Sequence, residues 1–313
     1  MNAKEVILVG TDGSDSKWNV VDWAIARAKQ SGATLEILVA YNLSSYSPAG
    51  VEGSYVAISD GQLQDAAKEA ADKAAQRALE AGVSEVVVTV APGDPASVLI
   101  ERSAEVSMVV IGTRGTQGFA DRLLGSVSAS VPSRAKCPVV VVPRLEAGSP
   151  YTPITRVVAG VDGSDTSSIA LRRAVEECQL WGAKLTATSA VPYSTGNAFM
   201  AWIPPVVDRE RFTADIRVGL DVAVDQATEG MDMKVARHVL DGNPAELLAE
   251  FSTAVDLVVV GRRGRGGFAG LLLGSTSQTL LARSKCPVMV VPLLKQTESN
   301  ESDAPETVPW GRA

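Results

Sequence analysis

The segment GTRGTQGFADRLLGSVS (residues 112–128) returns as GRRGRGGFAGLLLGSTS (residues 261–277). Both copies read Gly-x-x-Gly, nine residues, Gly-Ser. The positions are Gly112, Gly115, Gly125 and Ser126 in the first, and Gly261, Gly264, Gly274 and Ser275 in the second. Each copy follows an apolar run, SMVVIG or DLVVVG, and leads to another, CPVVVVP or CPVMVVP. Upstream, EVILVGTDGSD (5–15) matches RVVAGVDGSD (156–165), SGATLEILVAY matches WGAKLTATSAV, and GDPAS matches GNPAE. The offset is 150 at Asp12 and Asp162 and 149 at Gly112 and Gly261. A whole domain is therefore duplicated, with one deletion between these points.

In each half, short Val- and Ile-rich runs alternate with longer helical patterns. Continuous apolar runs are the mark of strands buried on both faces. Strand–helix alternation implies a parallel sheet with right-handed crossovers. The expected fold class is α/β: two doubly wound, five-stranded, Rossmann-like domains over residues 1–147 and 154–294. A Gly-, Ser- and Pro-rich linker lies near 144–153, and a polar tail covers 295–313, expected to be disordered. The helix at 60–81 reads as a solvated amphipathic cover.

The 313 residues carry 46% hydrophobic and 21% charged side chains, which excludes a mainly disordered chain. A net charge of −7 argues against a general nucleic-acid or anionic-membrane binder. Three scattered cysteines, Cys137, Cys178 and Cys286, make no disulfide framework, and the single His238 makes no zinc site. The N-terminus shows no secretory pattern, and no apolar run approaches the ~20 residues of a membrane helix. A reducing cytoplasm fits this profile.

Chemically, a glycine loop between strand and helix is a phosphate site. Glycines let backbone amides approach a ligand, and the helix N-terminus presents free donors to an anion. Ser126 and Ser275 are placed to cap that helix, and Ser128 and Ser277 add hydroxyls. A helix terminus supplies only about 0.3–2 kcal/mol, whereas micromolar affinity needs about 8 kcal/mol, so a base must be buried as well. That points to a nucleotide. A P-loop is excluded because no Gly-Lys pair exists. Gly264, Gly266 and Ala269 fit a dinucleotide pattern but follow the wrong strand. Asp12 and Asp162 end the first strand of each half, where a carboxylate can accept from an adenine amino group or a ribose hydroxyl, or hold Mg2+. Asp15 and Asp165 read as first-turn acids of the next helix.

On these motifs the chain resembles the universal stress protein family in its tandem form, over about residues 4–143 and 155–292. The resemblance implies a sheet of order 3-2-1-4-5, of the adenine nucleotide alpha hydrolase type, and ATP binding. It further implies nucleoside contacts at Asp12 and main-chain Tyr41, and at Asp162 and main-chain Val191. Gly112, Gly115, Gly125, Ser126, Ser128, Gly261, Gly264, Gly274, Ser275 and Ser277 match its phosphate positions. It implies pairing of the halves, or of two chains, through the last strands, 138–142 and 287–291. The function expected is a cytoplasmic ATP-binding stress sensor or regulator. The alternative is a weak ATPase or adenylate-handling enzyme using the same pockets, with Arg114, Arg262 and Arg263 as candidate cations. One departure stands out. Pro132 replaces Leu281, removes an amide donor and is expected to kink the helix after the first loop, favouring the second site.

Overall fold

The computed structural model describes residues 4–14, 18–42, 60–113, 124–144, 150–191, 209–265 and 272–293. The chain divides into two compact units, Met1–Pro153 and Ile154–Ala313. Among the described residues, no helix is long and apolar enough to cross a membrane.

The first unit runs β1 (Val6–Gly10), α1 (Trp18–Ser31), β2 (Thr34–Tyr41), α2 (Asp60–Glu80), β3 (Val86–Pro92), α3 (Pro95–Arg102), β4 (Met108–Gly112), α4 (Ser126–Arg134) and β5 (Val139–Val142). All pairings are parallel, in the order β3-β2-β1-β4-β5. The second unit repeats it with β6 (Arg156–Gly160), α5 (Asp165–Trp181), β7 (Lys184–Val191), α6 (Arg209–Ala227), β8 (Val235–Asp241), α7 (Pro244–Phe251), β9 (Leu257–Gly261), α8 (Ser275–Arg283) and β10 (Val288–Val291). Its order is β8-β7-β6-β9-β10, again parallel.

The strand order reverses direction after β3 and after β8. Right-handed crossovers therefore place α1 and α2 on one face of the sheet and α3 and α4 on the other. The helices pack in those pairs, as do α5 with α6 and α7 with α8. Two covered faces explain why Ile7, Leu8, Val9, Val109, Val110, Val258 and Val259 are fully buried. The amphipathic helix α2 contributes Leu63, Ala67, Ala71, Ala74 and Ala78 to this core, a stripe at helical spacing.

Local signals set the helix starts. Asp94 and Asn243 cap α3 and α7 with their side chains, and Pro95 and Pro244 follow at the first helical position, where a missing N–H costs nothing. Ser164 caps α5, and Asp165 is its first-turn acid, as expected. The helix containing Pro132 continues through the proline to Arg134 and has the same length as α8, nine residues. Pro132 lies beyond the first turn, so the amides there are untouched. The tail, 295–313, falls outside the described residues.

Candidate functional site

The reversal of strand order puts β1 beside β4 and β6 beside β9. Their carboxyl ends open a crevice there, the place where ligands sit in such sheets. Asp12 and Asp162 follow β1 and β6 by two residues, Gly112 and Gly261 end β4 and β9, and Tyr41 and Val191 end β2 and β7. The fold thus gathers these positions onto one end of each sheet. Gly115, Arg114 and Asp15 lie outside the described residues.

Both aspartates build the same tight turn. Oδ1 of Asp12 accepts from the Ser14 N–H at 3.2 Å and from its hydroxyl at 2.8 Å. Oδ1 of Asp162 does the same with Ser164, at 3.1 and 2.6 Å. Gly13 and Gly163 supply the left-handed backbone between them, with φ of 72° and 77°. In the second unit the other oxygen, Oδ2 of Asp162, accepts from the Arg265 N–H at 2.9 Å. The first-strand turn and the glycine loop are therefore in direct contact. A Cβ on Gly264 would lie 2.2 Å from that Oδ2.

The loops close in the same way in both units. The Gly125 N–H donates to the Thr113 carbonyl, and the Gly274 N–H to the Arg262 carbonyl, each at 2.9 Å. Gly125 and Gly274, not the serines, are the helix N-caps, and neither helix has a side-chain cap bond. Ser126 and Ser275 are instead the first helical residues, with their side chains exposed. The capping role expected of them is corrected: the chain enters the helix one residue earlier. The Ala129 and Gln278 amides make the first intrahelical bonds, to Gly125 and Gly274. The N–H groups of 126–128 and 275–277 precede them and point out of the helix end. Ser128 and Ser277 are buried. Ser128 donates its hydroxyl to the Thr113 carbonyl at 2.7 Å, and Ser277 donates to the Gly261 carbonyl at 2.8 Å. In this geometry those hydroxyls brace the loop.

The glycines divide by cause. Gly261 is required by packing, since a Cβ there would lie 2.9 Å from the carbonyl carbon of Thr166. Gly274 is not. Its φ of −71° suits any residue, and among the described residues a Cβ would meet nothing nearer than 3.4 Å. The Tyr41 and Val191 carbonyls accept from the Gly93 and Gly242 amides at 2.9 and 3.0 Å, which leaves each a second lone pair. Burial and the neighbouring Arg263 draw the Arg262 guanidinium below its ordinary value. Two adjacent arginines, 262 and 263, therefore give the second loop a locally positive character despite the acidic chain. His238 sits on β8, exposed and away from the carboxyl ends.

The Universal stress protein family model matches residues 4–143 and again residues 153–292. The chain is a tandem member of the universal stress protein family. It is similar to universal stress protein Rv1996 of Mycobacterium tuberculosis, 31% identical over 306 residues, covering 91% of this chain and 94% of that protein. Universal stress protein Rv2623 of the same organism is 30% identical over 299 residues, covering 92% and 97%. The crystal structure of a universal stress protein from Archaeoglobus fulgidus superposes with a TM-score of 0.66 at 24% identity, covering 92% of this chain and 96% of that one. It shares the fold. Membership places the chain among stress-response proteins.

Sequence reasoning missed Thr166 and the Arg265 amide. Thr166 donates its hydroxyl to the Arg263 carbonyl, a second link between turn and loop. A signal for it was present: a hydroxyl residue stands four positions after the aspartate in both halves, Ser16 and Thr166.

Proposed function

We propose that each unit binds one adenine nucleotide, ATP, at the carboxyl end of its sheet, and that the chain acts as a cytoplasmic stress sensor or regulator through that occupancy. The observation that carries this reading is Gly274. Neither its backbone conformation nor its neighbours among the described residues demand glycine, yet it stands at the N-terminus of α8 and recurs as Gly125. A bare position there leaves room for a ligand to reach the amides of 275–277.

The residues fit an ATP molecule in three parts. First-turn amides of α4 or α8, with Gly264 and Arg262 in the second unit, would take the phosphates. Asp12 or Asp162 would accept from the ribose or base, and the free lone pair on the Tyr41 or Val191 carbonyl would accept from the adenine amino group. Among the described residues no group of three or more His, Cys, Asp and Glu could hold a metal ion. A Mg2+ ion would therefore enter with the phosphates, supported by one aspartate and water. Pairing through the last strands, 138–142 and 287–291, belongs to the same proposal and is read by light scattering with and without ATP.

The test is calorimetric titration with ATP of the full chain and of Gly274→Ala and Gly125→Ala. Both positions have a φ that an alanine adopts, −71° at Gly274 and −76° at Gly125, and each substitution is expected to lower ATP affinity at its own site at least ten-fold. Unchanged affinity in both variants would sink the reading.

A further inference from the structure

The second unit shows how the start of the glycine loop, residues 262–265, is held. Two bonds cross from the β6–α5 turn to the loop after β9. Thr166 donates its hydroxyl to the Arg263 carbonyl, and Asp162 accepts from the Arg265 N–H at 2.9 Å. Close packing supports both, because Gly261 brings the end of β9 against the first turn of α5 without a Cβ between them.

These bonds fix a direction. A trans peptide is planar, so its C=O and N–H point opposite ways. With the Arg263 carbonyl held toward Thr166, the Gly264 N–H of the same peptide points away from α5. It faces the neighbourhood of α8, where the Gly264 nitrogen lies 3.6 Å from the position of a Cβ on Gly274. The amide thus joins the first-turn amides of α8 around one small region.

We propose that Thr166 and Asp162 form a clasp that sets the orientation of the Gly264 peptide, and that Thr166 is a positioning residue for the phosphate end of the site. The inference rests on the nucleotide reading for its ligand, and not for the clasp. Thr166 touches no nucleotide; it acts through the peptide it holds. Ser16 occupies the corresponding place in the first unit and keeps the hydroxyl.

The experiment uses the full chain as wild type, Thr166→Val and Thr166→Ser. Amide hydrogen exchange at 263–265 is followed without nucleotide, and ATP and adenosine are titrated separately. Thr166→Val is expected to speed exchange of the Arg265 amide about three- to ten-fold and to weaken ATP binding at the second site by a similar factor. Adenosine affinity is expected to shift less than about two-fold, because no phosphate is present to feel the peptide. Thr166→Ser restores both ATP affinity and protection. A melting temperature of Thr166→Val close to wild type separates loss of the bond from loss of the helix start. Unchanged exchange in Thr166→Val overturns the clasp, whatever happens with nucleotide. Faster exchange with unchanged ATP affinity, or equal losses for ATP and adenosine, overturns the positioning role. If the wild type binds neither ligand, the nucleotide reading falls, and the exchange result alone decides the clasp.

Discussion

Glu36 lies within β2 with its side chain 3% exposed, between Leu35 and Ile37. Two partners bind its carboxyl oxygens. Arg102 donates to Oε2 at 2.7 Å, and the Thr89 hydroxyl donates to Oε1 at 2.8 Å. The ion pair holds the Arg102 guanidinium above its ordinary value, against the opposing effect of burial. The second unit places Thr186 at the same register, opposite Val158 as Glu36 is opposite Leu8. Arg102 is itself 34% exposed, but removing it leaves the buried Glu36 without its cationic partner. Arg102→Leu is expected to destabilise the first unit by about 2–4 kcal/mol, measured by urea denaturation. The cysteines follow another rule. Burial pushes the Cys178 and Cys286 thiols up to about 12. They stay neutral and enclosed at pH 8, so a thiol reagent should label almost nothing in the native chain and three groups in denaturant. The unfolded chain releases these protons at lower pH than the folded one. Their contribution to stability is full below about pH 8.5 and is lost as pH rises toward 12.

At the scale of elements, helix starts were legible because they are written in adjacent residues. GDPAS and GNPAE announce a cap followed by proline, and α3 and α7 begin there. Asn243 accepts from the Ala245 and Glu246 amides at 2.9 and 3.4 Å. Asn243→Ala is expected to cost about 1 kcal/mol, read as a lowered midpoint for the second unit. The starts of α4 and α8 were misread by one residue. Serine is the stronger capping residue by type, but the Gly274 N–H is already committed to the Arg262 carbonyl across the closed loop, and that closure sets where the helix begins. Pro132 stands at the seventh of the nine residues of α4, beyond the first turn.

For the whole molecule, duplication makes two sites the expectation. Mass spectrometry of the purified full chain should find nucleotide at two per chain, and Gly274→Ala should reduce this to one. Saturating ATP at about 100 times its Kd should stabilise a unit by about 2.7 kcal/mol, seen as a raised melting temperature that Gly274→Ala loses for the second unit only. The two-unit plan and the parallel α/β class were readable from the sequence, because strand periodicity and a 149–150 residue repeat are properties of residues in chain order, while the strand order came through the family resemblance. The candidate glycines and aspartates were readable for the same reason. What the chain order does not carry is which backbone group each side chain meets. Asp162 and Arg265 are 103 residues apart, Thr166 and Arg263 are 97 apart, and Glu36 and Arg102 are 66 apart. Only the reversal of strand order brings β6 beside β9 and lets a turn on one hold a loop on the other. The tertiary structure therefore decided that Ser128 and Ser277 brace the loop, that Gly261 serves packing, and that Gly274 is the bare position. Hydrogen bonds and van der Waals contacts act over a few ångströms of space, and sequence separation says nothing about that distance.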